Sequence, residues 1–96
     1  KAVDKVSIEI NGCRLPVQGY LRDGVSWLPI RAVAEAVGGK VEWDPVTKKV
    51  AVNGVVLDVR IENGTSYAPA RKLAEVLGLN VEWDGIAKIV TLREGG

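Results

Sequence analysis

Val41-Glu42-Trp43-Asp44 recurs as Val81-Glu82-Trp83-Asp84, 40 residues further along the chain. Shifting the sequence against itself by 40 aligns residues 24–52 with 64–92, and 13 of these 29 positions are identical. Beyond the tetrapeptide the identities are Gly24/Gly64, Ser26/Ser66, Pro29/Pro69, Arg31/Arg71, Ala34/Ala74, Glu35/Glu75, Gly38/Gly78, Lys48/Lys88 and Val50/Val90. Ordinary residue frequencies would give about two. The chain is a tandem duplication, with repeat 1 over about 6–52 and repeat 2 over about 53–92. Ninety-six residues make one domain of this material.

Local patterns are short and alternate in kind. Val6, Ile8 and Ile10 alternate with Ser7 and Glu9, the period of a half-buried strand. Asn11-Gly12 then marks a two-residue hairpin turn. Such a turn pairs Ile10 with Cys13, Ile8 with Leu15 and Val6 with Val17, placing all six on one face. Cys13 is therefore expected as a small core residue, and Pro16 implies an edge strand or an early end. Residues 18–25 read as a polar connection, and Ser26-Trp27-Leu28 as a short strand. Pro29 opens a helix as its first residue, with a stripe of Ile30, Val33, Ala34 and Val37 and a stop at Gly38-Gly39.

Val41 and Trp43 then face one way on a strand, with Asp44-Pro45 leading a turn. Residues 48–52 return as a strand with Val50 and Val52 inward, and Asn53-Gly54 turns it into Val55, Leu57 and Val59. That hairpin joins the copies without a linker, so both are expected in one shared sheet. The second copy repeats the plan. Thr65-Ser66-Tyr67 is extended, and Pro69 opens a helix with stripe Ala70, Leu73, Ala74 and Leu77, ended by Gly78. Strands over 80–83 and 88–92 follow, and residues 93–96 are expected to fray. The fold class is α+β: a largely antiparallel sheet packed around two short helices.

Composition removes several functions. Thirteen basic and twelve acidic residues give a net charge of +1 without long runs, against a nucleic-acid surface. No apolar run approaches the ~20 residues of a membrane span, and no signal peptide is visible. The chain starts mid-pattern at Lys1 and reads as a piece of something longer. It has no histidine, one cysteine, no glycine-rich phosphate loop and no zinc spacing, so neither an enzyme nor a cofactor is expected. Glu42 with Asp44, and Glu82 with Asp84, read as solvated strand faces and turn-initiating Asp rather than as cation ligands, which need about six donors.

Arg31 and Arg71 stand out because each occupies the first turn of its helix, where the macrodipole disfavours a cation. Placement against local preference in both copies points to a tertiary partner such as Asp44 or Asp84, with an external anion or sugar hydroxyl as the alternative. Trp43 and Trp83 share their strand face with valines and read as packing residues. Trp27 and Tyr67 hold matching positions before the prolines, either packing or stacking on a sugar ring. Trp27, Tyr67, Arg31 and Arg71 are the candidate binding residues.

The run from Asp23 to Asp44, Asp-Gly-Val-Ser-Trp-Leu-Pro-Ile-Arg-Ala-Val-Ala-Glu-Ala-Val-Gly-Gly-Lys-Val-Glu-Trp-Asp, resembles the copper amine oxidase N-terminal-domain-like family. That pattern is a Gly-rich turn, an aromatic, a Val-Pro-Leu-Arg stretch, an Ala/Leu/Glu-rich helix ending in Gly, then Val-x-Trp-Asp. The second copy, from Asn63 to Val90, resembles it too, departing at Ala68 and Ala70. The resemblance implies an accessory unit remote from copper and quinone, found in secreted or surface proteins of Gram-positive bacteria beside cell-wall hydrolases. An extracellular, non-catalytic module follows as the expectation, with peptidoglycan or another cell-wall polysaccharide as partner. The alternative is a structural spacer or homodimerisation module without a ligand.

Overall fold

A computed structural model describes residues 4–94. In chain order they form β1 (Asp4–Ile10), β2 (Cys13–Arg22), β3 (Val25–Pro29), α1 (Ile30–Ala36), β4 (Val41–Asp44), β5 (Lys49–Val52), β6 (Val55–Leu57), β7 (Arg60–Glu62), β8 (Thr65–Pro69), α2 (Ala70–Leu77), β9 (Leu79–Asp84) and β10 (Ile89–Glu94). The class is α+β. Seven strands run in the order β7-β8-β3-β2-β1-β10-β9, and β4-β5-β6 form a separate three-stranded sheet. All pairings are antiparallel except β1 with β10, where Ile8 lies opposite Val90 and Ile10 opposite Leu92.

One apolar core draws on both copies. Val6, Ile8, Leu28, Val33, Val52, Leu73, Val90 and Leu92 are fully buried and form a single cluster. Each large side chain so buried stabilises the fold by roughly 1.5–3 kcal/mol. Ile30, Val33 and Ala34 of α1 and Ala70, Leu73 and Ala74 of α2 supply the helical share, as the stripes predict; Val37 and Leu77 are only partly buried. The end of α1 is a Schellman motif: Gly39 N–H donates to the Ala34 carbonyl (2.7 Å), Gly38 N–H donates to that of Glu35, and Gly38 takes a φ of 76°. No helix among the described residues is long and apolar enough to cross a membrane.

The copies meet at the β3–β8 pair. Trp27 lies opposite Pro69, Leu28 opposite Ala68 and Pro29 opposite Tyr67. Under the 40-residue shift the Leu28–Ala68 pair maps onto itself and the other two pairs map onto each other. A pseudo-two-fold axis therefore passes between Leu28 and Ala68, both fully buried. At the other junction β5, which ends one copy, pairs with β6, which starts the next.

Several expectations need correction. The Asn11-Gly12 turn pairs Ile10 with Cys13, but the register then shifts so that Val6 faces Gly19 and Ser7 faces Gln18. Leu15, Pro16 and Val17 form the bulge, where a proline without an N–H cannot hold the ladder. Val17 is consequently 39% exposed, while Cys13, beside the turn and opposite Ile10 as expected, is exposed and not a core residue. Strand β2 does not end early at Pro16. It runs to Arg22, through residues expected to be a polar connection, as an internal strand between β1 and β3. Pro29 closes β3 and caps α1 instead of being its first residue.

The shared sheet is only partly realised, because β6 ends at Leu57 and Val55 faces outward. Asp58 and Val59 interrupt what in copy 1 is the continuous β2. The counterpart of Val59 is Gly19, where any Cβ would run into the Trp27 carbonyl oxygen and come within 2.8 Å of Leu28 Cδ2. A valine has no room in that place, so the strand breaks there. At the chain end, Arg93 and Glu94 extend β10 where fraying was expected; residues 95 and 96 lie outside the described residues.

Candidate functional site

The four candidate residues divide between two places. Trp27 and Tyr67 lie on the outer face of the seven-stranded sheet, away from the core, in the seam between copies. Tyr20 stacks on Trp27 with centroids 6.4 Å apart and meets Tyr67 edge-on at 5.0 Å. Arg60 lies over the Trp27 ring at 5.5 Å. Tyr20 and Arg60 are themselves counterparts 40 residues apart, so each reaches across the axis to the other copy's central aromatic. Tyr20 Oη donates to Glu62 Oε2 (3.1 Å), which also lies 3.9 Å from both Arg22 and Arg60. Partial burial, then the Glu62 carboxylate, pushes the Tyr20 phenol above its usual 10.0. All three rings are half-buried. This cluster fastens the copies together on the side the core does not reach.

Arg31 and Arg71 are elsewhere, one in each of two grooves. The larger, about 640 Å³, lies between the start of α1, the rim of β4–β5 and the β7–β8 hairpin. The smaller, about 450 Å³, lies between the start of α2, the rim of β9–β10 and the β2–β3 hairpin. All ten residues lining the smaller groove have their counterparts, 40 positions away, lining the larger. Both volumes fall in the range of small-ligand pockets. Each groove takes its helix and edge strand from one copy and its hairpin from the other, so neither copy alone makes one.

Of the nine counterpart pairs inside the aligned window, seven are identical: Gly24/Gly64, Ser26/Ser66, Pro29/Pro69, Arg31/Arg71, Val41/Val81, Trp43/Trp83 and Val50/Val90. Only six of the other twenty aligned positions are identical. Sameness between the copies is concentrated in the grooves.

The tryptophans of the repeated tetrapeptide correct a sequence expectation. Trp43 and Trp83 do face the same way as Val50 and Val90. Their strands β4 and β9 are sheet edges, however, and the rings are 44% and 45% exposed at the groove rims. They are rim residues, not core. The internal ion pair expected for the arginines is also absent: among the described residues no acid lies within ion-pairing distance of Arg31 or Arg71, and both are exposed. Asp44 and Asp84 are otherwise employed. Asp44 Oδ1 accepts from the N–H groups of Val46 (2.9 Å) and Thr47, and Asp84 Oδ1 from those of Ile86 and Ala87 (both 3.0 Å). These are the turn-initiating roles the sequence predicts.

The grooves offer a guanidinium, an indole face, a serine and backbone from a glycine turn. They offer no nucleophile–base pair. The chain has no histidine, and among the described residues no three His, Cys, Asp or Glu side chains converge. That donor set does not fit copper, which calls for imidazole or soft sulfur ligands.

No curated protein and no solved structure matches the chain. The family of the copper amine oxidase N-terminal domain matches it twice, over residues 7–61 and 51–96. The matches overlap at 51–61, the end of β5 with β6 and the start of β7, the segment that closes one copy and opens the next. Spanned almost from end to end by two successive matches, the chain belongs to the copper amine oxidase N-terminal domain family.

Proposed function

We propose that the chain is a non-catalytic, extracellular module of a larger secreted protein that holds it on a cell-wall glycan, peptidoglycan foremost, through the two grooves. Membership of a family named for an N-terminal domain, not a catalytic one, supports an accessory role. The observation that carries the glycan reading is the doubled groove, with Arg31 and Trp43 repeated as Arg71 and Trp83. An exposed indole stacks on the apolar face of a sugar ring, and a guanidinium binds its hydroxyl or acid groups. Neither side chain is engaged in the core, so their retention in both copies is not a folding requirement.

Co-sedimentation with purified cell walls tests this. The chain is expected in the pellet, and Arg31→Ala/Arg71→Ala or Trp43→Ala/Trp83→Ala should leave it in the supernatant. A chain that does not pellet, or pellets equally with both double substitutions, overturns the proposal. Trp27→Ala is not the substitution to use, because Trp27 belongs to the seam and its loss would weaken the fold.

One observation favours the second reading, a spacer that dimerises. Strand β6 is an edge of the three-stranded sheet, with Val55 48% and Val56 58% exposed. Analytical ultracentrifugation decides it: a dimer dissociated by Val56→Lys supports this reading, and a strict monomer removes it.

A further inference from the structure

Building on the glycan reading above, we infer that the two grooves are symmetry-related, separate sites for an acidic glycan, and that one chain bridges two segments of it. The acidic class follows from the arginines. Arg31 and Arg71 stand exposed beside a rim tryptophan, with no acid of the described residues paired to either. A guanidinium in that state matches a sugar carboxylate through two parallel hydrogen bonds, which a neutral hydroxyl cannot supply.

Bridging follows from the symmetry. The axis between Leu28 and Ala68 relates the grooves by a half-turn, so a groove direction that lies across the axis is reversed in the other groove. A glycan chain has a reducing and a non-reducing end. A straight segment entering one groove in the favoured sense would enter the other backwards, so the second groove takes a second segment.

The grooves also differ in a way that bears on charge. Glu35 lines the larger groove, whereas its counterpart Glu75 lies 3.8 Å from Lys72 and does not line the smaller. A carboxylate ligand is repelled by Glu35, so the smaller groove, with Arg71 and Trp83, binds it more tightly.

Calorimetry on the intact chain tests all three statements, with a hexasaccharide of alternating glucuronate and N-acetylglucosamine as probe and its carboxyl-reduced form as control. Two sites per chain are expected, with about tenfold weaker binding after carboxyl reduction. Arg71→Ala should leave the weaker site and Arg31→Ala the tighter one, with melting temperatures unchanged because both arginines are exposed. Glu35→Gln should strengthen the weaker site. The long polymer should turn turbid with the unsubstituted chain and stay clear with either single substitution. A single site, no binding, or loss of both sites on one substitution overturns the inference. Equal binding of the carboxyl-reduced probe overturns the acidic class while leaving the glycan reading intact; that reading fails separately, if purified walls do not bring the chain down.

Discussion

Gly19 shows how one atom decides a larger feature. Its Cα passes so close to β3 that an added Cβ meets the Trp27 carbonyl oxygen, a backbone atom that cannot swing aside. Gly19→Ala is therefore expected to destabilise by about 1–3 kcal/mol, lowering the melting temperature by about 4–8 °C for each kcal/mol; an unchanged melt would contradict the close approach. Asp44 gives a test in the acid range. Its carboxyl is held below the usual 3.8 by the Val46 N–H, then by that of Thr47. The fold favours the ionised form, so its contribution is complete above that ordinary value and is lost as pH falls through the lowered one. Asp44→Asn keeps an acceptor oxygen at the turn without the charge. The melting-temperature difference between parent and variant should narrow on acidification, and a difference constant with pH would exclude the effect. Among the groove residues, Trp43 and Trp83 were legible as a repeated pair but not as rim residues. Strand alternation tells which face a side chain takes, and only the neighbours of β4 and β9 tell whether anything covers that face.

At the scale of elements, the pseudo-two-fold at β3–β8 sets a shared space. Leu28 and Ala68 face each other across the axis, a large residue against a small one. Leu28→Ala should cost about 2–5 kcal/mol through the cavity it leaves. Adding Ala68→Leu returns the volume to the same space, and the double variant should recover more than half of that loss by denaturant unfolding. Strictly additive effects would show that the two positions do not share their surroundings. The elements themselves were largely visible in the sequence because their causes are local: alternating valines and isoleucines, four turns with Asn-Gly or Asp-Gly, prolines before the helices and glycines after. The sheet arrangement was not, because its causes are distant. The break at Val59 depends on a carbonyl in another strand's surroundings, and the β2 register on how a sheet absorbs Pro16. The grooves were hidden for the same reason, each being assembled from both copies. A trace of them was nonetheless present, since Arg31/Arg71 and Trp43/Trp83 are retained at positions the core does not use.

For the whole molecule, the pairing of β1 with β10 has a kinetic consequence. Like β3 with β8, these strands are joined through hydrogen bonds and not through a short turn, but Ser7 opposite Ile89 spans nearly the whole chain, whereas Leu28 opposite Ala68 spans one repeat. Contacts so far apart in sequence form late in folding. Until they do, the first and last strands are both open to a neighbouring molecule, and the same pairing satisfies them equally well from outside. Intramolecular closure is independent of concentration and capture by a neighbour is not, so the two routes compete by dilution. Refolding from denaturant at low concentration should give monomer, and at high concentration a rising fraction of strand-exchanged dimer on size exclusion; a product mixture indifferent to concentration would show that closure always wins. A protein made by repeating one unit twice thus carries, where its two ends meet, an opening through which one molecule can complete another.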